Sequence, residues 1–181
     1  MKGYAMLTHI RRSIIASIAF FAMLGLIYPL VETGIGQTVF SHQTNGSLTQ
    51  YGSTLIGQKW TGPKWFQGRP DAYNPMSTGG TNLGPRSKVL VSDVAKQIAR
   101  LQKEGIKPTS SLVTTSGSAV DPDISPAGAY AQVDAVAKAR GLPISQIRQL
   151  VTSHITGPEL GFLGSSYVNV LNLNEALAKL K

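Results

Sequence analysis

The stretch SIIASIAFFAMLGLIYPLV, Ser13 to Val31, runs nineteen residues without a formal charge. Coiled as one α-helix at 1.5 Å per residue it extends about 28 Å, the thickness of the hydrocarbon core of a bilayer. It therefore predicts a single N-terminal membrane span. Lys2, Arg11 and Arg12 precede the span and Glu32 follows it. The positive side stays in the cytoplasm, so residues 1–12 are expected there, 13–31 in the membrane and 32–181 on the outer face. A cleaved signal peptide also has a basic start and an apolar middle, but its apolar core is shorter and ends on small residues of A-x-A type. Only Gly34-Ile35-Gly36 comes near that pattern. Within the anchor, Arg11 and Arg12 flank the inner face and Tyr28 is placed as an interfacial aromatic. Pro29 stands near a helix end, where few backbone bonds remain to be lost. Ala16, Ala19, Ala22 and Gly25 form a drifting stripe of small side chains along which another helix can approach closely.

The remaining residues, about 150, suffice for one domain with its own core. The chain has no cysteine, which excludes disulfides, thiolate metal sites, a cysteine nucleophile and thiol-linked lipid together. From Thr33 onward fourteen Lys and Arg face eight Asp and Glu. Such a surface favours anionic lipid head groups or an acidic partner protein. Nucleic acid is not the expected partner, because beyond Thr33 the basic residues are scattered and no group is denser than a pair such as Arg86 with Lys88.

Residues 32–86 are rich in Gly, Thr, Ser, Asn and Pro and poor in helix signals. Gln37 to Phe40, Ser53 to Ile56 and Lys64 to Phe66 read as short strands, separated by turns such as Asn45-Gly46 and Thr61-Gly62-Pro63. Arg69 to Pro85, RPDAYNPMSTGGTNLGP, has neither helical nor strand period. A loop of that length inside a domain is more often functional or partner-bound than idle.

Residues 87–181 change to helix. Ser92 is placed to cap a helix with Val94, Ile98 and Leu101 on one face and Gly105 after its end. Leu112 to Thr115 reads as a strand. Ser125-Pro126 opens a second helix carrying Ala129, Val133, Val136 and Ala137, closed by Gly141. A third follows Pro143, capped by Ser145, with Ile147, Leu150, Val151 and His154 aligned. Tyr167 to Leu173 reads as a strand, and Asn174 as the cap of a last helix, Glu175 to Leu180. The expected fold class is α/β or α+β: one transmembrane helix, then a single extracytoplasmic domain with a small sheet and about four helices.

Signals for catalysis are sparse. Ser116-Gly117-Ser118-Ala119 lacks the second glycine of a nucleophile elbow, and no serine is followed three places later by lysine. His9, His42 and His154 have no paired spacing for a metal. Asp121-Pro122-Asp123 lacks the glycine and glutamate of a calcium loop, and reads as a pre-helical turn in which Asp oxygens accept backbone N–H bonds. Ser77 to Gly84 is glycine-rich enough to cradle an anion, but has no lysine or helix start beside it and reads better as a rigid contact loop. No catalytic or metal residue is assigned.

Several strings occur in a fixed order: Gly46-Ser47-Leu48, Gly52 to Gln58, Phe66-Gln67-Gly68-Arg69-Pro70, Tyr73-Asn74-Pro75 with Gly79 to Leu83, Leu112-Val113-Thr114 with Ser116-Gly117-Ser118, Asp121 to Pro126, Val136 to Leu142, and Val168 to Asn174. Together, behind the anchor, they resemble the C subunit of the Kdp-type potassium-transporting ATPase over nearly the whole chain. Asp71 stands where that family often has Ser, and Arg86 adds a further charge to the loop. The resemblance implies a complex in which a channel-like subunit carries potassium and a P-type subunit hydrolyses ATP. The small subunit is non-catalytic, serves assembly and activity, and raises the ATP affinity of the pump subunit. ATP and potassium are handled at the level of the complex. For an outer-face domain, any effect on ATP must cross the transmembrane assembly as coupling between distant sites. The expected partner contacts are Gln58, Arg69, Pro70, Asn74, Gly79, Gly80 and Asn82. The alternatives are an anchored serine hydrolase using Ser116 or Ser118 with His154, and an outer-face sensor or adhesion module.

Overall fold

A continuous helical path runs from Lys2 to Val39, made of α1 (Lys2–Ala22), a π-helical turn (Met23–Ile27) and α2 (Tyr28–Val39). The computed structural model describes residues 2–180. Met1 and Lys181, the outer ends of the expected 1–12 and 32–181 segments, lie outside the described residues. Of this path, Met6–Val39 is long and apolar enough to cross a membrane. Its 34 residues extend about 51 Å, so the helix outlasts the apolar run. Large side chains from Met6 to Phe40 are exposed all round, the pattern of a helix whose solvent is lipid.

Pro29 explains the π-helical turn. A proline inside a helix has no N–H to donate and its ring crowds the carbonyl four residues back, here that of Gly25. The widened turn just before it carries the Tyr28 N–H to the Met23 carbonyl, five residues back, and so makes room for the ring. Pro29 is therefore in the interior of the helical path rather than near its end. Gln37 to Phe40, expected as a strand, does not form one: Gln37 to Val39 continue the helix, with the Thr38 hydroxyl returned to the Gly34 carbonyl at 2.9 Å, and Phe40 is its C-cap. A short α3 (Ser41–Thr44) follows. The chain divides into two compact units, residues 1–47 and 48–181.

The second unit opens with a small antiparallel hairpin of β1 (Leu48–Thr49) and β2 (Gly52–Ser53). Then come α4 (Lys88–Lys103), α5 (Ser110–Val113), β3 (Asp123–Ile124), α6 (Pro126–Tyr130), α7 (Val133–Arg140), α8 (Ile144–Ser153), β4 (Ile155–Thr156), β5 (Tyr167–Asn169) and α9 (Val170–Ala178). β5 is the middle strand of an antiparallel three-stranded sheet, with Val168 opposite both Ile124 and Ile155. Ile124 and Val168 enter one buried cluster with Phe66, Leu101, Leu112, Ile147, Val151, Leu173 and Leu177. A mixed domain of helices and small sheets behind one long apolar helix is thus the architecture.

Local chemistry accounts for the departures. α4 starts at Ser87, whose hydroxyl accepts from the Leu90 N–H, five residues before the expected cap Ser92. Leu112 to Thr115 does not form a strand. One helical turn buries the adjacent pair Ser111 and Leu112 together, whereas a strand would send them to opposite faces. The helix expected after Ser125 divides at Gln132. Its own N–H turns to the Ala129 carbonyl while its side chain takes the Gly128 carbonyl that a regular helix would have used. α8 begins at Ile144 behind Pro143, not at a Ser145 cap. β5 ends at Asn169, which caps α9 by accepting from the Asn172 N–H at 3.1 Å; Asn174, the expected cap, lies inside that helix. Lys64 to Phe66 has no strand partner among the described residues. Gly105 and Gly141 take the left-handed conformation after α4 and α7, with φ +71° and +68°, as their positions predict.

Candidate functional site

Phe66 and Gln67 carry backbone groups that are buried without a neighbouring strand. Two amide side chains supply the missing ladder. Asn174 accepts from the Phe66 N–H at 2.9 Å and donates to its carbonyl at 2.9 Å. Gln132 accepts from the Gln67 N–H at 2.7 Å and donates to its carbonyl at 3.0 Å. Both amides are almost wholly buried, so each group must find its partner inside the fold. The Gln67 side chain then reaches α4, bonding Arg100 and, at 2.9 Å, Glu104. Trp65 packs against Trp60 in a tilted arrangement, ring centroids 5.0 Å apart, and lies under the Arg140 guanidinium at 4.5 Å, where burial lowers the Arg140 pKa. This anchored segment delivers the long loop to a fixed starting point.

The loop is laid on residues 116–121. Asp71 receives the Ser116 N–H at 2.7 Å and the Ser116 hydroxyl at 2.6 Å. The Tyr73 N–H donates to the Ala119 carbonyl at 3.0 Å and the Gly79 N–H to the Ser118 carbonyl at 2.9 Å. From the other direction the Gly57 N–H donates to the Val120 carbonyl at 2.7 Å. A Cβ on Gly57 would stand 2.5 Å from the Asp121 carbonyl oxygen, so only glycine lets these strands of chain meet. Arg69 Nε lies 2.9 Å from Asp121 Oδ2. Its N–H is not aligned for a hydrogen bond, and the contact is an ion pair. The Tyr73 hydroxyl donates to the Arg69 carbonyl at 2.7 Å. Burial first, then the charges of Asp71 and Asp121, hold that phenol above its ordinary range against the opposing pull of Arg69, so it stays a donor.

Two clefts flank the loop. One of about 360 Å³ has Lys59, Arg69 and Arg100 with Asp71 and Glu104 on its walls, and Trp60 and Tyr73 as aromatic lining. The other, about 260 Å³, lies between Thr81, Leu83 and the Leu90, Val94 and Val113 side chains. Pro70 lines both. Of the expected contacts, Arg69 and Pro70 are therefore central. Gly80 packs on Gly117, where a Cβ would come within 3.1 Å of its carbonyl oxygen. Asn74 is exposed and caps its own turn by accepting from the Met76 N–H at 3.0 Å. Gly79 and Asn82 are exposed, Asn82 in the left-handed region at φ +54°. Gln58 packs over Gly52 of β2.

The site offers a loop fastened by backbone bonds between two clefts. No hydrogen bond joins His154 to Ser116 or Ser118 among the described residues. His154 Nδ1 is 2.8 Å from the carbonyl of Leu150 in its own helix, while the Ser116 hydroxyl is spent on Asp71. Asp121 Oδ1 accepts from the Asp123 N–H at 3.0 Å, the turn expected there. The Gly79 N–H points into the fold, which removes one arm of an anion cradle. The roles of Gln67, Gln132 and Asn174 in this clamp escaped sequence reasoning. For Asn174 the signal was an amide at a core position of an apolar helical stripe, since Val170, Leu173, Asn174 and Leu177 share one face of α9.

A family profile described as K+-transporting ATPase, c chain (KdpC), matches residues 10–179. The chain is 43% identical over 197 residues to the potassium-transporting ATPase KdpC subunit of Rhodopseudomonas palustris (strain ATCC BAA-98 / CGA009), covering 95% of this chain and 97% of that one. It is 42% identical over 184 residues to the KdpC subunit of Caulobacter vibrioides (strain NA1000 / CB15N), covering 95% and 93%. It is likewise 42% identical over 188 residues to the KdpC subunit of Gemmatimonas aurantiaca, covering 97% and 94%.

Proposed function

The chain belongs to the KdpC family, the c chain of K+-transporting ATPases, and from that premise we propose that it is the non-catalytic accessory subunit of its complex, required for assembly and activity. The observation that carries this reading is the loop of residues 69–85. It is fastened to residues 116–121 by backbone bonds and by Asp71, while Asn74, Met76, Gly79 and Asn82 remain outward. An ordered loop has already lost its conformational freedom, which lowers the cost of docking. A potassium-carrying, channel-like subunit and an ATP-hydrolysing P-type subunit are the proposed partners, with the bilayer around the anchor.

In this reading the charges flanking the anchor put residues 1–12 in the cytoplasm of a cell (inner) membrane and residues 32–181 on the outer face. Net positive charge on that unit disfavours gathering potassium and favours an acidic rim on the partner. ATP and potassium are bound by the companion subunits, and the rise in ATP affinity is transmitted through the membrane assembly.

Replacing Arg69 or Gly80 tests the placement. Arg69→Ala removes the ion pair with Asp121, and Gly80→Val pushes a side chain into the Gly117 carbonyl. Recovery of companion subunits on the tagged chain in mild detergent should fall several-fold, with ATP turnover per intact complex unchanged. Full recovery of both variants would remove the loop from the interface.

A further inference from the structure

β4 and β5 are joined by residues 157–166, whose tip is apolar and bare. Leu160 is 81% exposed, Phe162 74% and Leu163 51%. The tip is nevertheless rigidly made. Glu159 and Leu163 exchange both backbone bonds at 2.9 Å, the Gly161 N–H donates to Pro158 and the Phe162 N–H to Glu159. Leu160 and Gly161 have φ +52° and +83°, both in the left-handed region, within the three-residue tip that the Glu159–Leu163 pair closes. Glycine takes that conformation freely, whereas leucine is strained in it. Leu160 gains no burial within this chain to offset the strain. A strained residue with an exposed apolar side chain on a self-bonded backbone has its compensation outside the chain.

We propose that this hairpin tip is a knob that docks into an apolar recess with a cationic rim on a companion membrane subunit of the transport complex. This rests on the complex membership argued above, but uses a surface other than the long loop. Two observations choose a protein recess over a lipid surface. Residues 157–166, GPELGFLGSS, contain no Lys, Arg, Trp or Tyr, the residues that hold a segment at a membrane interface. Their one charge is the exposed carboxylate of Glu159, which anionic lipid repels and a cationic rim attracts. The fixed turn also presents Leu160, Phe162 and Leu163 as one shape, an advantage in a shaped pocket and none in a fluid.

Photocrosslinking in native membranes tests the knob, with the full-length chain carrying p-benzoylphenylalanine in place of Phe162. The expected product is an adduct with a membrane subunit of the complex. The double variant Leu160→Ser/Phe162→Ser should lower recovery of companion subunits about tenfold, and Glu159→Lys several-fold. Its own abundance and melting should not fall, because both side chains are exposed. Adducts only with lipid or with a second copy of the chain, or unchanged recovery, would overturn the proposal. If the unaltered chain recovers no companions, the complex reading fails as well; if it recovers them and the variants do so equally, the knob alone fails.

Discussion

Asp123 stands at the junction of sheet and loop, and its carboxyl is held above the ordinary carboxylate range. Burial is the main cause; the bond from Asn169 opposes it, the charge of Asp121 reinforces it and Arg69 opposes it. The folded chain therefore binds that proton more tightly than the unfolded chain does. Its contribution to stability is complete below the unfolded pKa and is lost as pH rises through the folded value. Asp123→Asn keeps an acceptor for the Asn169 amide, 3.0 Å away, and removes the ionisation. Thermal unfolding should show variant and parent equal near ~pH 3 and the variant more stable near ~pH 7. A variant less stable at the higher pH would mean that the ionised carboxylate is the favoured form. Single residues were the least legible part of the sequence. Asp71 was visible only as an added charge, and its role as acceptor for Ser116 depends on two loops 45 residues apart. No local pattern encodes such a pairing. The Asx turn at Asp121 was legible because both partners are local.

At the scale of elements, the amide clamp joins α9 and the break between α6 and α7 to a segment that belongs to neither. Asn174→Ala would leave the Phe66 N–H and carbonyl buried without partners, at about 1–3 kcal/mol each. The full-length chain in mild detergent should lose about 2–5 kcal/mol in denaturant unfolding, with the anchor helix intact by circular dichroism. A loss below about 0.5 kcal/mol would show that water replaces the amide. Elements with local punctuation were readable: Ser125-Pro126 opens α6, and Gly105 and Gly141 close α4 and α7. Elements decided by tertiary burial were not. Leu112-Val113 has strand propensity yet forms a helical turn, and Gln37 to Val39 follow the anchor's helix past its apolar run. Asn174 looked like a cap because polar residues at helix starts usually are caps.

For the whole molecule, the apolar helix and the family membership were legible because both are written in long stretches, nineteen uncharged residues and strings spread over the chain. The clefts and the fastened loop were not, since they arise where distant segments meet. The proposed outward orientation predicts that a membrane-impermeant label at Lys179 reacts in intact spheroplasts; reaction only after the cytoplasmic face is opened would reverse it. The central claim is that this chain acts as a subunit rather than alone. Isolation of the tagged chain from its native membrane in mild detergent tests that most directly. The account predicts that a P-type ATPase and a channel-like potassium subunit elute with it in constant ratio, and that the eluate hydrolyses ATP in response to potassium. Elution of the chain alone, without ATP hydrolysis, would contradict it.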